Sequence, residues 1–236
     1  MRINLWASPR NRSTAIMYSF GERSDMSIVD EPFYAHYLAK SGLHHPMRLE
    51  VMQTQSSEKE RVIKEVYNKK YPTPHVFFKQ MSHHLSNDEP QFAVSDKNII
   101  LVRDPKAMIL SFSKVMERPS IEDLGLMSSA KLFDFFQSNG QVPIVLDTGI
   151  LMDSPREILH KLCDELGLSF DVKMLSWKPG PRKEDGIWAA VWYGSVHQST
   201  GLHPQKSQSV RLPKKYAALY RQCMPDYSFL RDQSIQ

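Results

Sequence analysis

The 236-residue chain is long enough for one domain with a sizeable core, and its 41% hydrophobic content excludes wholesale disorder. A formal net charge of +4 with no dense basic run argues against a nucleic-acid partner and leaves an anionic small ligand open. Two cysteines, Cys163 and Cys223, are too few for a disulfide framework and no window reaches a membrane span, so a soluble, cytoplasmic protein without a membrane partner is expected.

In chain order, Ile3, Leu5 and Ala7 alternate as a strand does, and Ile16, Met17 and Phe20 follow at helical spacing. The switch falls across Ser8-Pro9-Arg10-Asn11-Arg12-Ser13-Thr14. It places Asn11 to Thr14 at a helix N-terminus, where free backbone N–H groups and the positive dipole end join two arginines and two hydroxyls. Such a loop suits a phosphate or sulfate group. The plainer reading is a Ser8 or Ser13 cap with solvated arginines, which uses one of these donors. The chain lacks GxxxxGK[ST], so no Lys precedes the Ser-Thr pair to reach the β and γ phosphates of a nucleoside triphosphate.

Ser27 to Asp30 reads as a second strand, ended by Glu31-Pro32 and followed by Phe33, Tyr34, Tyr37 and Leu38. Two carboxylates thus stand at a strand's C-terminal edge, which in open α/β sheets faces the ligand crevice. Equally, Asp30 and Glu31 can open a helix. His44 and His45 fall in a polar connection and are expected on the surface rather than on a metal. Ser56 to Lys70 has the apolar face Val62, Ile63, Val66 and Tyr67 of an amphipathic helix, with Glu60/Lys64 and Glu65/Lys69 spaced for i,i+4 pairs. After Tyr71-Pro72-Thr73-Pro74, His75 to Phe78 forms a third strand that runs out at Lys79-Gln80-Met81-Ser82-His83-His84. A neutral imidazole there is suited to accept a hydroxyl proton, or serves only structure.

Asn98 to Val102 is the most apolar strand, as a central parallel strand buried on both faces requires. It runs into Arg103-Asp104-Pro105-Lys106, with Asp104 as cap, Pro105 in the first turn and Met108, Phe112 and Val115 as the inward stripe of a helix through Met116. Alone, this is an ordinary cap with an ion pair; together with the Ser8 to Thr14 loop it makes two anion cradles at strand ends. A helix around Ser128 to Gln137 supplies Leu132, Phe133 and Phe136 to a core, and Val142 to Leu146 forms the last strand. The next helix starts at Ser154, with Pro155 and a capping box from Glu157, and stops at Gly167. Trp177 to Gly201 gathers Arg182 and Lys183 with Trp188, Trp192, Tyr193 and His197, as an aromatic lid or a core-filling element. Pro213 to Cys223 reads as a closing helix.

The Pro9-Arg10 loop with Ser13-Thr14, the Glu31-Pro32 pair, Lys79 and the spacing of Arg103 to Ser111 resemble the sulfotransferases that use 3′-phosphoadenosine 5′-phosphosulfate (PAPS), in the Ser-Pro-Arg variant found among bacterial members. Arg10 stands where many members have Lys, and Arg12 where many have Gly. The resemblance implies one α/β domain over 1–236, a parallel sheet flanked by helices on both faces in the P-loop NTPase-like manner. Residues 1–170 would form the nucleotide-binding core and 171–236 a C-terminal lid and closing helix. It implies that Arg10, Asn11, Arg12, Ser13 and Thr14 hold the 5′-phosphosulfate. Arg103 and Ser111 would hold the 3′-phosphate, joined by Arg182 and Lys183 of the late segment, although Glu184 stands where the family has Gly.

For the chemistry, the resemblance implies Arg10 on the leaving group and Glu31 as general base, as in the Glu-Pro motif of trehalose-sulfating members. His83 or His84 is the second choice, because Met81 occupies the position where many members have His. A sulfuryl group would pass from PAPS to a hydroxyl, or an amine, of a small acceptor, leaving 3′-phosphoadenosine 5′-phosphate (PAP), with no metal. The alternatives are a P-loop-like kinase or phosphohydrolase and a non-catalytic PAP-binding protein. Similar segments also occur joined to aminotransferase-type domains, for which this chain offers no evident room or lysine motif.

Overall fold

The computed structural model describes residues 1–85, 88–114, 116, 118–205 and 211–236. Five strands, β1 (Arg2–Ala7), β2 (Met26–Asp30), β3 (His75–Met81), β4 (Lys97–Val102) and β5 (Ile144–Asp147), form one all-parallel sheet in the order β2-β3-β1-β4-β5. β1 is therefore central, with the chain leaving it towards β3 and β2 on one side and β4 and β5 on the other. Connections that diverge in this way open a crevice beyond the carboxyl ends of the strands. The register brings Ala7 level with Met81 and Leu101, and Asp30 level with Lys79.

The helices are α1 (Ser13–Gly21), α2 (Tyr34–Ser41), α3 (Arg48–Thr54), α4 (Lys59–Val62), α5 (Pro105–Phe112), α6 (Ile121–Leu124), α7 (Leu126–Ser138), α8 (Thr148–Asp153), α9 (Pro155–Leu166), α10 (Ala189–Trp192), α11 (Gly194–His197) and α12 (Ala217–Asp232). They divide between the two faces of the sheet. Ile99 and Leu101 of β4 join the core made with α1 and α9, whereas Ile100 and Val102 join the core made with α5, α7 and α12. Successive strand residues point to opposite faces, so a strand covered on both sides is apolar without interruption.

Several expected boundaries shift. The third strand continues through Lys79 to Met81, because Leu5, Trp6 and Ala7 of β1 pair with Lys79, Gln80 and Met81. The helix expected over Ser56 to Lys70 is the short α4 followed by a π-turn over Ile63–Tyr67, closed by the Asn68 N–H on the Ile63 carbonyl at 2.8 Å. Its apolar face is the expected one, with Val62 and Tyr67 buried, but the ion pair that forms is Arg61–Glu65 at 3.0 Å. Asp104 caps α5 through the Lys106 N–H at 2.8 Å as expected, and α5 stops at Phe112; Val115 lies outside the described residues. No capping box forms at Ser154. That residue ends α8 and begins α9 without a break, and Glu157 pairs with Lys161 at 2.8 Å instead. The closing helix runs on to Asp232, and its Tyr227 donates to Asp147 at 2.9 Å at the end of β5.

Candidate active site

The loop after β1 holds Arg10 at φ 63° and Arg12 at φ 66°. A non-glycine residue in this region costs about 1 kcal/mol, so two of them need bracing. Three carbonyls supply it. The Arg10 carbonyl accepts from Arg103 Nη1 at 2.6 Å, the Asn11 carbonyl from Thr148 Oγ1 at 3.1 Å, and the Arg12 carbonyl from the Ala15 N–H at 3.0 Å. Helix α1 has no side-chain cap, and Ser8 is hydrogen-bonded to Ser129 at 3.1 Å, which removes the plain capping reading of this loop. Oxygen dipoles engaged elsewhere and an uncapped helix N-terminus are what an anion-binding turn requires.

Arg10, Arg12, Ser13, Thr14, Arg103 and Ser111 all line one cavity of 660 Å³ beyond the strand ends. Arg10 Nε donates to Ser111 Oγ at 3.1 Å, and Arg12 Nη2 to Gln205 Oε1 at 2.7 Å. Among the described residues the arginine ion pairs belong to Arg23, Arg61 and Arg182, so none of the three cavity guanidiniums has a carboxylate partner. Burial, then Arg12 and Arg10, pulls the Arg103 pKa down to about 10. A dianion entering here would relieve that repulsion. Asn11, expected among the ligands, turns its side chain inward and donates to the Leu101 carbonyl at 2.9 Å, where it acts as a strut.

Across the cavity stands a buried charge cluster. Lys79, only 1% exposed, projects from β3 beside its register partner Asp30. Its Nζ donates to Asp30 Oδ1 at 2.9 Å, to Tyr193 Oη at 2.7 Å and to Glu31 Oε1. Tyr193 in turn donates to Asp30 Oδ2 at 2.8 Å and accepts from Trp188 Nε1 at 3.1 Å. Burial raises the Glu31 pKa, Lys79 opposes that rise and Asp30 reinforces it. For Lys79 burial acts against the charge, but Asp30 and Glu31 outweigh it and keep the pKa above the ordinary lysine value.

The histidine pair sits against this cluster. His84 Nε2 lies 3.9 Å from Glu31 Oε2, and the ring is stacked on Tyr34 at 4.9 Å and on Tyr37 at 4.9 Å. Burial, with His83 and Lys79 adding to it, holds the His84 pKa well below the ordinary imidazole range, and burial takes His83 down to about 4. Both rings line the cavity, with His83 edge-on to His84 at 4.9 Å. Of the histidines expected at the surface, His44 is exposed. His45 is not: Tyr34 bonds its Nδ1 at 3.0 Å and it joins the cavity wall.

The fold does not bring Arg182 or Lys183 to the cavity. Arg182 pairs with Glu22 at the end of α1 and lies over the Tyr18 ring at 4.1 Å, while Lys183 projects into solvent beside Glu184 at 3.6 Å. The late segment instead contributes Trp188, Trp192 and Tyr193 to the wall, Trp188 and Tyr193 being core residues as well. Sequence reasoning missed Gln205 and His45, which no motif marks. It also missed the union of Tyr193 with Asp30, which joins positions 163 residues apart. Among the described residues no group of three or more His, Cys, Asp or Glu side chains could hold a metal ion, and no helix is long and apolar enough to cross a membrane.

A sulfotransferase-domain family profile matches residues 1–234. Two Arabidopsis thaliana proteins, branched-chain-amino-acid aminotransferase-like proteins 1 and 2, are 36% and 33% identical to the chain over 230 residues, 97% of it. The chain spans 41% of the length of each of these curated relatives. Among solved structures, the sulfotransferase domain from the curacin biosynthetic pathway is similar with a TM-score of 0.54 at 17% identity, over 96% of both chains. A sulfotransferase from Alicyclobacillus acidocaldarius is similar with a TM-score of 0.55 at 12% identity, over 99% of this chain and 96% of that one. These two likenesses concern the fold, an α/β domain of the P-loop-like kind, while the profile reaches from the first strand to the last helix: the chain belongs to the sulfotransferase-domain family.

Proposed function

We propose that the protein transfers a sulfuryl group from PAPS to a hydroxyl of a small acceptor and releases PAP. The observation that carries this reading is the division of one cavity: three guanidiniums without carboxylate partners among the described residues on one side, and a buried carboxylate with a raised pKa on the other. Arg10, Arg12, Ser13, Thr14 and the α1 N-terminus suit one anionic group, and Arg103 with Ser111 suits a second. Arg10 links the two through its bond to Ser111. A doubly anionic nucleotide with phosphate-type groups at both ends of its ribose matches that pair of cradles.

Directed donors that are in place before reaction stabilise charge without reorganising, so Arg10, Arg12 and the helix N-terminus would take up the charge developing on the departing 5′-phosphate. Glu31 would accept the proton of the acceptor. Lys79, enclosed by Asp30, Glu31 and Tyr193, would hold Glu31 in position rather than grip a triphosphate as the Lys of a GxxxxGK[ST] loop does.

A calorimetric titration with PAP, run beside ATP with Mg²⁺, tests the reading. Binding of PAP alone supports it; a response to ATP with Mg²⁺ and none to PAP replaces it with the kinase or phosphohydrolase reading.

A further inference from the structure

The two oxygens of Glu31 are unequal. Oε1 is held by Lys79, whereas Oε2 faces His84 Nε2 across 3.9 Å. Tyr193 gives its single proton to Asp30 while its oxygen accepts from Lys79 and Trp188, so it has none left for Glu31 at 3.5 Å. A separation of 3.9 Å is too long for a direct hydrogen bond, yet an oxygen atom in the cavity beside the pair reaches both groups at about 2.8 Å each.

The imidazole is fixed in its plane by the two tyrosine rings, at interplanar angles of 7° and 19°. Its Nδ1 is buried and meets no partner among the described residues. An unpaired buried N–H is rarer and costlier than an unmet lone pair. The single proton of the neutral ring therefore belongs on Nε2, aimed at the gap, and Nδ1 carries the lone pair. His84 thus offers the gap a donor, and Glu31 offers it an acceptor.

We infer that the acceptor is an uncharged molecule presenting a hydroxyl, whose proton goes to Glu31 Oε2 and whose lone pair receives the His84 Nε2–H. The inference rests on the sulfuryl-transfer reading and narrows it. A hydroxyl is donor and acceptor at once, as this gap demands, whereas an alkylamine at neutral pH is an ammonium with donors only. An anionic acceptor would meet Asp30, Glu31 and Lys79, a cluster with one negative charge in excess. Tyr34, Trp188 and Trp192 give the rest of that wall an aromatic surface suited to an uncharged body. In the transfer, the acceptor oxygen bonds to sulfur as the bond from sulfur to the 5′-phosphate oxygen breaks. The hydroxyl proton passes to Glu31 Oε2, and the electron pair of the broken bond leaves with the phosphate. His84 keeps its proton throughout.

The imidazole nitrogen NMR spectrum of the PAP-bound protein, with His84 assigned through His84→Gln, tests the tautomer. A ring protonated on Nε2 and unchanged from about pH 5.5 to 8 is expected; an Nδ1–H ring, or one that titrates in that range, overturns the inference. PAP affinity measured on the same samples reports on the sulfuryl-transfer reading separately. Matched alcohols, amines and hydroxy acids offered with labelled PAPS should show transfer to the uncharged alcohols, and a comparable rate on an amine or hydroxy acid overturns the assignment. On such an alcohol, His84→Phe, which keeps the stacking but has no donor, should raise the acceptor KM about fivefold to tenfold and leave the acid limb of the rate unchanged. His84→Gln, with a side-chain N–H, should restore most of that loss; disappearance of the acid limb in both variants would make His84 the base.

Discussion

Arg103 at the end of β4 donates to the main-chain carbonyl of Arg10 at 2.6 Å, so one guanidinium both faces the cavity and holds the loop after β1 in its left-handed turn. Arg103→Ala removes a charge-assisted donor and this brace together. PAP affinity should fall about 10-fold to 100-fold, the range for one hydrogen bond to a charged group. Arg103→Lys keeps the charge but loses the planar fork, so it should recover only part of the affinity. Calorimetry with PAP on both variants measures this, and unchanged affinity in Arg103→Ala would remove Arg103 from the nucleotide site.

Glu31 must be ionised to take a proton, and burial raises its pKa above the ordinary glutamate value. The carboxylate fraction grows as pH rises through that pKa, so turnover should climb with pH there and level off above it. The acid limb should lie at higher pH than an ordinary glutamate would give. Glu31→Gln should lower turnover by about 10²-fold to 10⁴-fold, the usual worth of a positioned base, while PAP affinity holds. A pH–rate profile of the wild type and a single-point rate for the variant decide the matter; full activity in Glu31→Gln would give the base role to another group.

Much of this arrangement is visible in the chain itself. The apolar run Ile99-Ile100-Leu101-Val102 announces a strand covered on both faces, and the Arg10 and Arg103 positions follow from what succeeds each strand. Local chemistry sufficed for those elements because caps, turns and strand ends are decided within a few residues. The charge cluster is different. Nothing near Lys79 in sequence says that parallel pairing sets it beside Asp30, or that Tyr193 closes over both. Arg182 shows the reverse: its motif position pointed to the nucleotide, but the fold pairs it with the Glu22 carboxylate and the Tyr18 ring at the end of α1, outside the cavity lining.

The Lys79 cluster should be a principal support of the fold around the cavity. Lys79→Met would leave Asp30 and Glu31 buried without a counter-charge, and breaking a buried pair from one side costs about 3–5 kcal/mol. Tyr193→Phe removes the donor to Asp30 and the acceptor of Lys79 and Trp188 but leaves the ion pairs, and should cost about 1–3 kcal/mol. Urea unfolding of the three proteins should rank them in that order. Equal stability of Lys79→Met and wild type would remove the Lys79 ion pairs from the supports of the fold.

Arg182 and Lys183 provide a contrast in which stability and binding separate. Arg182 closes the C-terminal end of α1 through Glu22, the Tyr18 carbonyl at 3.3 Å and the face of the Tyr18 ring. Among the described residues Lys183 pairs with Glu184, with its side chain 90% exposed. Arg182→Ala should therefore lower the unfolding free energy by about 1–2 kcal/mol, through the lost ion pair and cation–π contact, while PAP affinity changes less than about twofold. Lys183→Ala should change neither, since an exposed pair of this kind is worth little. Paired urea unfolding and PAP calorimetry on the two variants test both halves. A tenfold loss of PAP affinity in Arg182→Ala with unaltered stability would mean that the side chain leaves Glu22 when nucleotide binds, and would return Arg182 to the 3′-phosphate site that its motif position implied.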